Sequence, residues 1–104
     1  MNTRFYFQNI NLKTKEELKN YLIDKKVKRI AKLFPEKKLE TLILETRSQY
    51  FKKHNAFSVK LKLKNDKIMI LAEEKSHKIF KAIDLAVDRL ISQIRKIENI
   101  KHKK

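Results

Sequence analysis

The chain of 104 residues has no cysteine, no tryptophan, no glycine and a single proline. Without cysteine it can form no disulfide, no thiolate metal site and no cysteine nucleophile, and without glycine it can form no glycine-rich phosphate-binding loop. The longest apolar run, residues 68–72, is much shorter than the roughly 20 residues that a membrane-spanning helix needs. The N-terminus also lacks the apolar stretch of a signal peptide. We therefore expect a soluble protein of the cytoplasm or an organelle matrix, with cytoplasmic localisation favoured, that contacts no membrane.

Catalytic and metal-binding patterns are missing as well. The three histidines are scattered without the spacing of a metal site, so surface positions are expected for them. The carboxylate pairs, such as Asp84 and Asp88, have no neighbouring nucleophile or base in the sequence that would complete a catalytic site. We therefore expect that the protein is not an enzyme and that it has no metal ligands, no cofactor and no small-molecule substrate.

Cationic side chains dominate the residues that are present. Lysine and arginine number 27 against 12 aspartate and glutamate, which gives a formal net charge of +15. Residues 1–35 and 75–104 each carry nine cations and three anions, so the excess is concentrated in the first and last thirds of the chain. A charge of this size opposes compaction by self-repulsion unless a polyanion neutralises it. An apolar content of 41% still permits a core, so the composition favours a folded domain that binds a polyanion.

Hydrophobic periodicity predicts one α+β domain with the element order β-α-β-β-β-α. We expect strands over residues 4–10, 39–47, 57–64 and 67–73, and helices over residues 15–34 and 77–98. A four-stranded sheet with both helices packed on one face would bury the apolar positions of all these elements. This is also the layout of the double-stranded-RNA-binding domain. Residues 65–66 are expected to form a tight hairpin turn, and the basic segment 48–56 is expected to be a mobile loop.

Particular residues predict where the two helices begin and stop. Thr14 and Glu17 match a capping box at the start of the first helix, and Pro35 is expected to end it. Ser76 is a candidate N-cap for the last helix. The apolar residues that recur three and four positions apart are expected to face the core. They are Ile23, Val27, Ile30 and Phe34 on the first helix and Ile83, Val87, Leu90 and Ile94 on the last.

Each helix also carries a stripe of cations at helical spacing. The members are Lys25, Lys28, Arg29 and Lys32 on the first helix and Lys78, Lys81, Arg89 and Lys96 on the last. Such stripes suit the phosphate backbone of a nucleic acid, because bound lysine and arginine displace condensed counterions. The alternative is that they are ordinary solvated faces. Three aromatic residues could stack on bases or pack locally instead, namely Tyr6, Tyr50 and Phe51.

Residues 72–96, AEEKSHKIFKAIDLAVDRLISQIRK, resemble the C-terminal signature of the ribosome hibernation promoting factor family, which includes the ribosome-associated inhibitor and light-repressed proteins. In that family a strand ending in Ala-Glu leads to a serine, an aromatic residue, Ala-Ile-Asp and a basic run. The sequence matches this signature without a gap. The matching positions are Ala72, Glu73, Ser76, Phe80, Ala82, Ile83, Asp84, Asp88, Arg89, Leu90, Gln93, Ile94, Arg95 and Lys96.

The first helix is similar to the same family's pattern. Lys25, Arg29 and Lys32 stand in its basic positions, and one extra residue is present around Lys26. The chain departs from the family just after the serine, where His77 and Lys78 replace the acids that are common there.

This resemblance implies that the protein binds the small ribosomal subunit between head and body, over the sites for mRNA and tRNA, inhibiting translation and protecting idle ribosomes. The two stripes and Arg95 are then expected to contact ribosomal RNA. The full set is Lys25, Lys28, Arg29, Lys32, Lys78, Lys81, Arg89, Arg95 and Lys96. The chain resembles a short member of the family: a ribosome-binding domain at residues 1–98 and a basic tail at 99–104. We expect no C-terminal dimerisation domain and a monomer off the ribosome.

Two other functions fit the same residues. A general double-stranded-RNA-binding protein has the same layout and uses a hairpin loop and the start of its last helix to contact adjacent grooves. A modulator that binds an acidic protein partner, for example a sigma-factor or anti-termination modulator, would also need a cationic surface. The sequence leaves open whether the bare sheet face, lined by Lys60, Lys62 and Lys64, meets RNA or solvent.

Overall fold

Four strands form one mixed sheet in the order β1-β2-β3-β4. The computed structural model describes the backbone of residues 1–102 and the side chains of residues 1–97. The strands are β1 (Asn2–Gln8), β2 (Ile43–Phe51), β3 (Ala56–Lys64) and β4 (Met69–Ser76); the helices are α1 (Leu12–Tyr21), α2 (Val27–Ala31), α3 (Glu36–Leu39) and α4 (Ile79–His102); and a π-helical turn, Leu22–Lys26, joins α1 to α2. β1 pairs parallel with β2, whereas β2, β3 and β4 pair antiparallel. The predicted α+β class and element order are confirmed, with α3 as an addition.

The helices cover one face of this sheet, and the core lies between the two layers. Alternate residues of the central strand β3, namely Val59, Leu61 and Leu63, are fully buried against the helices. The buried apolar side chains of the helical layer include Leu18, Leu22, Ile30 and Phe34, and from α4 Ile79, Ile83, Val87, Leu90, Ile91 and Ile94. The four apolar positions predicted to face the core from the last helix are therefore confirmed. The opposite face of the sheet, which no element of residues 1–102 covers, is called the open face below.

The first helix begins three residues earlier than the predicted capping box. Its N-cap is Asn11, whose side-chain Oδ1 accepts a 2.8 Å hydrogen bond from the amide of Thr14. The predicted box of Thr14 and Glu17 is therefore wrong, because asparagine caps a free helix amide at least as well as threonine does. The chain has already turned at Asn9, where φ is 59°. Asparagine is one of the few residues that often adopt this left-handed geometry.

The π-helical turn changes which side chains of the first helical segment face the core. The buried residues Leu18, Leu22 and Ile30 are separated by multiples of four positions. In an α-helix that spacing drifts by about 40° per turn, and one wider turn with an extra residue resets the drift. Leu22 is consequently buried while Ile23 is 44% exposed, so the prediction that Ile23 faces the core is wrong. The other three predicted positions lie in or against the core.

Regular helix stops at Ala31, before the predicted end at residue 34. The amides of Leu33 and Phe34 then close tighter turns on the carbonyls of Ile30 and Ala31. Pro35 is extended and precedes the short helix α3, because proline suits a helix start and residues 36–39 are good helix formers. β2 therefore begins at Ile43, four residues after the predicted start.

Residues 48–56 form a strand hairpin instead of the predicted mobile loop. β2 continues to Phe51 and β3 starts at Ala56, so four residues connect them. Tyr50 and Phe57 pack on the covered face with ring centroids 4.9 Å apart. The Tyr50 hydroxyl donates a 2.8 Å hydrogen bond to Oδ1 of Asn55. Asn55 is the last residue of the turn, and its φ is 46°. These contacts order the segment despite its positive charge.

The turn between β3 and β4 starts at Asn65, as predicted, but it is wider than two residues. The Asn65 side-chain oxygen accepts hydrogen bonds from the amides of Lys67 and Ile68, at 2.8 and 2.9 Å. Because these bonds hold Lys67 and Ile68 in the turn, β4 begins at Met69 rather than at residue 67.

The last helix, α4, begins at Ile79, and Ser76 ends β4 rather than capping the helix. The Ser76 hydroxyl accepts a 3.2 Å hydrogen bond from the amide of Lys78, in the turn before α4. The helix runs to His102, past the predicted end at residue 98, since residues 98–102 contain no glycine or proline. Residues 103 and 104 of the predicted tail lie outside the described residues. No helix in the described part of the chain is long and apolar enough to cross a membrane.

Candidate nucleic-acid interface

The nine cations predicted to contact RNA are all exposed, and all lie on or beside the helical layer. This set is called the helical basic surface: Lys25, Lys28, Arg29, Lys32, Lys78, Lys81, Arg89, Arg95 and Lys96. The helices bring some of these side chains together and keep others apart.

A cleft of about 380 Å³ lies between α2 and α4, and cations border it from both helices. Arg29 reaches the cleft from α2, and Arg95 and Lys96 reach it from α4. A 3.2 Å ion pair with Asp88 holds the Arg29 guanidinium there. Lys32 follows Arg29 by one helical turn, so positive charge continues along the first helical segment beside the cleft.

Arg89 turns away from this cleft toward the edge strand β4. Its guanidinium donates a 3.0 Å hydrogen bond to the carbonyl oxygen of Glu73 and forms a 3.1 Å ion pair with Glu74. Six residues separate Arg89 from Arg95, which places them about 120° apart around the helix. Arg95 therefore lies outside the stripe to which Arg89 and Lys96 belong, since these two are only about 20° apart around the helix.

Lys78 lies at the opposite end of the helical layer from the cleft. The His77 ring Nδ1 is 2.7 Å from the carbonyl oxygen of Asn55, which joins the start of α4 to the β2–β3 hairpin. The tip of that hairpin carries Lys52 and Lys53. About 17 residues of helix separate Lys78 from Arg95, or roughly 25 Å. Lys78 thus belongs to a second, separate basic region.

Asp84 links the two helical segments between these basic regions. It accepts a hydrogen bond from the Tyr21 hydroxyl and forms a 3.0 Å ion pair with Nζ of Lys26. Lys26 lies in the π-helical turn, and its side chain is only 14% exposed. The three residues, called the Asp84 clamp, fix the first helical segment against α4.

Proton equilibria in the Asp84 clamp follow from these contacts. Burial opposes ionisation of Asp84, but hydrogen bonds from Tyr21 and Lys26 and the nearby positive charges outweigh it and hold the pKa of Asp84 below its ordinary value. The hydrogen bond to Asp84 raises the pKa of Tyr21. Burial works to lower the pKa of Lys26, yet its bond to Asp84 prevails and raises it. The clamp is therefore a neutral tyrosine with an ionised Lys–Asp pair at neutral pH.

Most of the helical basic surface is not compensated by acids. Within the described side chains, only Arg29 and Arg89 of the nine cations form an ion pair. The remaining seven have no carboxylate partner among the side chains of residues 1–97. The described residues contain no group of three or more histidine, aspartate and glutamate side chains that could hold a metal ion. The chemistry available here is the binding of negatively charged groups by lysine and arginine.

Sequence reasoning missed two functional features. The first is the Asp84 clamp, for which the only signal is the extra residue around Lys26. The second is the placement of the aromatic candidates: Tyr50 packs on the covered face against Phe57, whereas Tyr6 and Phe51 lie on the open face. Strand register decides which face each aromatic side chain lies on. The sequence did not predict this register, because it placed the start of β2 at the wrong residue.

This fold and the sequence that forms it have known counterparts. A model of the family described as sigma 54 modulation protein / S30EA ribosomal protein matches residues 5–101. The chain belongs to this family. The match covers the second half of β1, the other three strands and the helices up to residue 101, so the resemblance drawn from residues 72–96 and from the first helix is confirmed. No curated protein matches the chain in sequence.

Two solved structures share the fold of this family member. The N-terminal domain of Protein Y from Thermus thermophilus gives a TM-score of 0.73 at 22% identity, covering 93% of this chain and 99% of that one. A ribosomal subunit interface protein from Coxiella burnetii gives a TM-score of 0.68 at 16% identity, covering 95% of this chain and 99% of that one. At these identities the likeness establishes the fold alone.

Proposed function

We propose that this protein is a ribosome hibernation factor that binds the small ribosomal subunit at the decoding region, inhibits translation and protects idle ribosomes in the cytoplasm. Membership of a family whose description names a ribosomal protein supports this proposal, as does the likeness to a ribosomal subunit interface protein. The observation that carries it is the helical basic surface, with exposed cations on both sides of the cleft between α2 and α4.

The geometry of the cleft suits the phosphate backbone of folded ribosomal RNA. Arg29 and Arg95 each offer planar, multi-donor groups that match phosphate oxygens. Lys96 adds a point charge in the cleft, and Lys28 and Lys32, one helical turn apart on the first segment, add charge next to it; bound lysines release counterions. Binding alone accounts for inhibition, because a domain seated in the decoding region excludes mRNA and tRNA. The proposal therefore needs no reaction, cofactor or small-molecule substrate.

Cosedimentation with purified ribosomal subunits on sucrose gradients tests the proposal. We expect the protein to travel with the small subunit and with whole ribosomes, but not with the isolated large subunit. If it neutralises about 6–10 phosphates, its affinity falls by about 10³–10⁵ between roughly 50 and 200 mM salt. Association that is insensitive to salt, or equal affinity for the large subunit, would contradict this interface.

Charge-matched variants separate the helical basic surface from net charge. Lys28→Ala combined with Lys32→Ala is expected to weaken small-subunit binding and relieve inhibition in a cell-free translation assay. The control, Lys37→Ala combined with Lys67→Ala, removes the same charge from exposed positions at the α3 end of the molecule. An equal loss of small-subunit affinity in the two double variants would show that total charge, rather than this surface, drives the association.

General double-stranded RNA binding is the second candidate, and one observation favours it. The contact between His77 and Asn55 brings the β2–β3 hairpin and the start of α4 together, and these are the elements that span grooves in duplex RNA binders. Competition distinguishes the two functions. A duplex RNA that displaces the protein from small subunits at equal concentration would favour this second function, whereas poor competition by the duplex supports the ribosomal proposal.

A further inference from the structure

The open face of the sheet carries side chains that the helical basic surface does not use. Cross-strand pairing sets one row across all four strands: Tyr6, Arg47, Lys60 and Glu73. The adjacent row, nearer the β2–β3 hairpin, begins with Gln8, Gln49 and Ser58. A shallow cleft of about 260 Å³ lies over these two rows. It is called the sheet cleft.

Tyr6 and Arg47 form an exposed pair within the sheet cleft. The central carbon of the Arg47 guanidinium lies 4.5 Å from the centroid of the Tyr6 ring. Tyr6 is 41% exposed, although it lies in the middle of a strand. A guanidinium over an aromatic face is held there by cation–π attraction. The pair is thus preorganised, and unpaired nucleic-acid bases stack on groups of this kind.

The surrounding side chains can recognise the edge of a stacked base. Gln8 and Gln49 offer amide donors and acceptors, and Ser58 offers a hydroxyl. None of these three side chains forms a hydrogen bond with another described residue. Glu73 closes the row at β4 and adds a carboxylate acceptor opposite Lys60.

The charge on the open face suits a polyanion. Glu45, its buried acid, is already committed to Lys64 at 3.0 Å and to Arg4 at 3.9 Å. Arg47, Lys60 and Lys62 form no ion pair with any described carboxylate. These three side chains follow one another across β2 and β3, so they can line a chain of phosphates.

We propose that the sheet cleft binds a short segment of single-stranded RNA. One base stacks on Tyr6 and Arg47, and the neighbouring phosphates contact Lys60 and Lys62. Because the sheet separates this cleft from the helical basic surface, it is a second RNA-binding site. The inference does not depend on ribosome binding, and the molecule can hold one RNA element on each side.

The chemistry of the sheet cleft favours a single strand over other occupants. A duplex conceals its base faces and is contacted across its grooves by protruding elements, whereas this face is flat. A second copy of the chain would bring two cationic faces together, which like-charge repulsion opposes. An acidic protein would pair with the lysines but offers nothing that the Tyr6–Arg47 pair selects.

Fluorescence anisotropy with the full chain tests this site. The probes are a labelled single-stranded RNA of about 12 nucleotides and a labelled RNA duplex of the same length, at one fixed salt concentration. Tyr6→Ala is expected to weaken single-strand binding by about 5- to 150-fold, the range of one base–aromatic stack, and duplex binding by less than about twofold. Tyr6→Phe keeps the ring face and is expected to stay within about twofold of the natural chain.

Controls on the same preparations decide the outcome. Met69→Ala removes another exposed apolar side chain from the open face, outside the sheet cleft, and should leave single-strand affinity unchanged. Thermal melts verify that Tyr6→Ala folds, and Arg47→Ala provides a second variant. Unchanged single-strand affinity in Tyr6→Ala, equal losses for both probes, or a dimer in sedimentation that Tyr6→Ala dissolves would each overturn the proposal. Small-subunit cosedimentation of Tyr6→Ala is measured separately, so failure of the ribosomal proposal is distinguishable from failure of this one.

Discussion

The last helix and the first helical segment lie on the same sheet face and touch each other, yet they are built differently. α4 is regular from Ile79 onward, and its apolar residues recur three and four positions apart in one unbroken stripe. The first segment is interrupted by the π-helical turn at Leu22–Lys26, and its buried residues keep multiples of four instead. Both segments present cations outward. Only in the first does a cation, Lys26, also pack inward against Asp84.

Helical spacing alone identifies the buried face of a helix only where its period is unbroken. Where every residue obeys the 3.6-residue period, as in α4, spacing predicts the buried face correctly. Where one extra residue is present, the positions that face the core shift by one residue. The spacing that predicts the buried face before the extra residue therefore fails after it. The energetic reason is local: the wider turn places Lys26 against Asp84, a contact that regular spacing would not produce.

Truncation of buried leucines on the two segments should have equal and large effects. Leu90→Ala in α4 and Leu22→Ala in the π-helical turn each open a cavity in the core, so each should cost about 2–5 kcal/mol in the free energy of unfolding. Ile23→Ala, one position from Leu22, removes an exposed side chain and should cost no more than about 0.5 kcal/mol. Urea denaturation measures all three. A large loss for Ile23→Ala with a small one for Leu22→Ala would mean that the first segment is a regular α-helix.

Loss of the Lys26 charge should affect stability more than loss of its neighbour's charge. Lys26→Met keeps the apolar stem but leaves Asp84 without its ion pair. Because Asp84 is 42% exposed, the cost lies between a buried and a surface pair, at about 1–2 kcal/mol. The matched control is Lys25→Met, which removes an exposed cation from the same turn and should stay within about 0.5 kcal/mol of the natural chain. Equal effects of the two variants would show that the Asp84 clamp does not stabilise the fold.

The sequence predicts much of this fold, and its failures have identifiable physical causes. The alternation of apolar and polar residues in β3 and the regular apolar spacing in α4 are strong patterns. The sequence therefore predicts the buried faces of both elements correctly. Element ends were predicted less well, because several residues can cap the same helix and Asn11 prevailed over Thr14. The positive charge of residues 48–56 predicts a loop, but the segment forms a hairpin. Its order comes from the contact of Tyr50 with Phe57 across two strands, which the sequence alone does not show.

The candidate site divides in the same way. The exposure of the cations follows from their spacing along the helices, so the sequence predicts it. The acidic residues that they pair with could not be predicted. Arg89 is bound to Glu73 and Glu74 because α4 packs alongside β4, where Gln93 also bonds to Leu71, and these contacts depend on tertiary structure. The pairing of Tyr6 with Arg47 likewise depends on the register between β1 and β2, which the shifted start of β2 concealed.

The Asp84 clamp should also make stability depend on acid pH. In the unfolded chain an aspartate has a pKa of about 3.9. In the folded protein the pKa of Asp84 is lower than this. The unfolded state therefore binds more protons in this range, so the contribution of Asp84 is fully present above the unfolded pKa and is lost as pH falls through the folded one. Asp84→Asn should cost about 1 kcal/mol at pH 7, and the deficit should shrink below about pH 4. Urea denaturation across pH 3–7 measures it, and a deficit that is constant with pH would contradict an ionised Asp84 in the clamp.

The smallest effect separates two cations of α4 that the sequence treats alike. Arg89 bridges to β4, and as a mostly exposed ion pair this contact should be worth about 0.5 kcal/mol; Lys81, exposed without a described carboxylate partner, should be worth almost nothing. A double-mutant cycle of Arg89→Ala with Glu74→Ala isolates the pair, and its coupling energy should equal most of the Arg89→Ala loss. Arg89 is already partly neutralised by Glu74, so its removal should weaken small-subunit binding less than Arg95→Ala does. Should Arg89→Ala weaken that binding more than Arg95→Ala, the RNA-facing surface would have to extend over the β4 flank, and the cleft between α2 and α4 would lose its central place in the proposed interface.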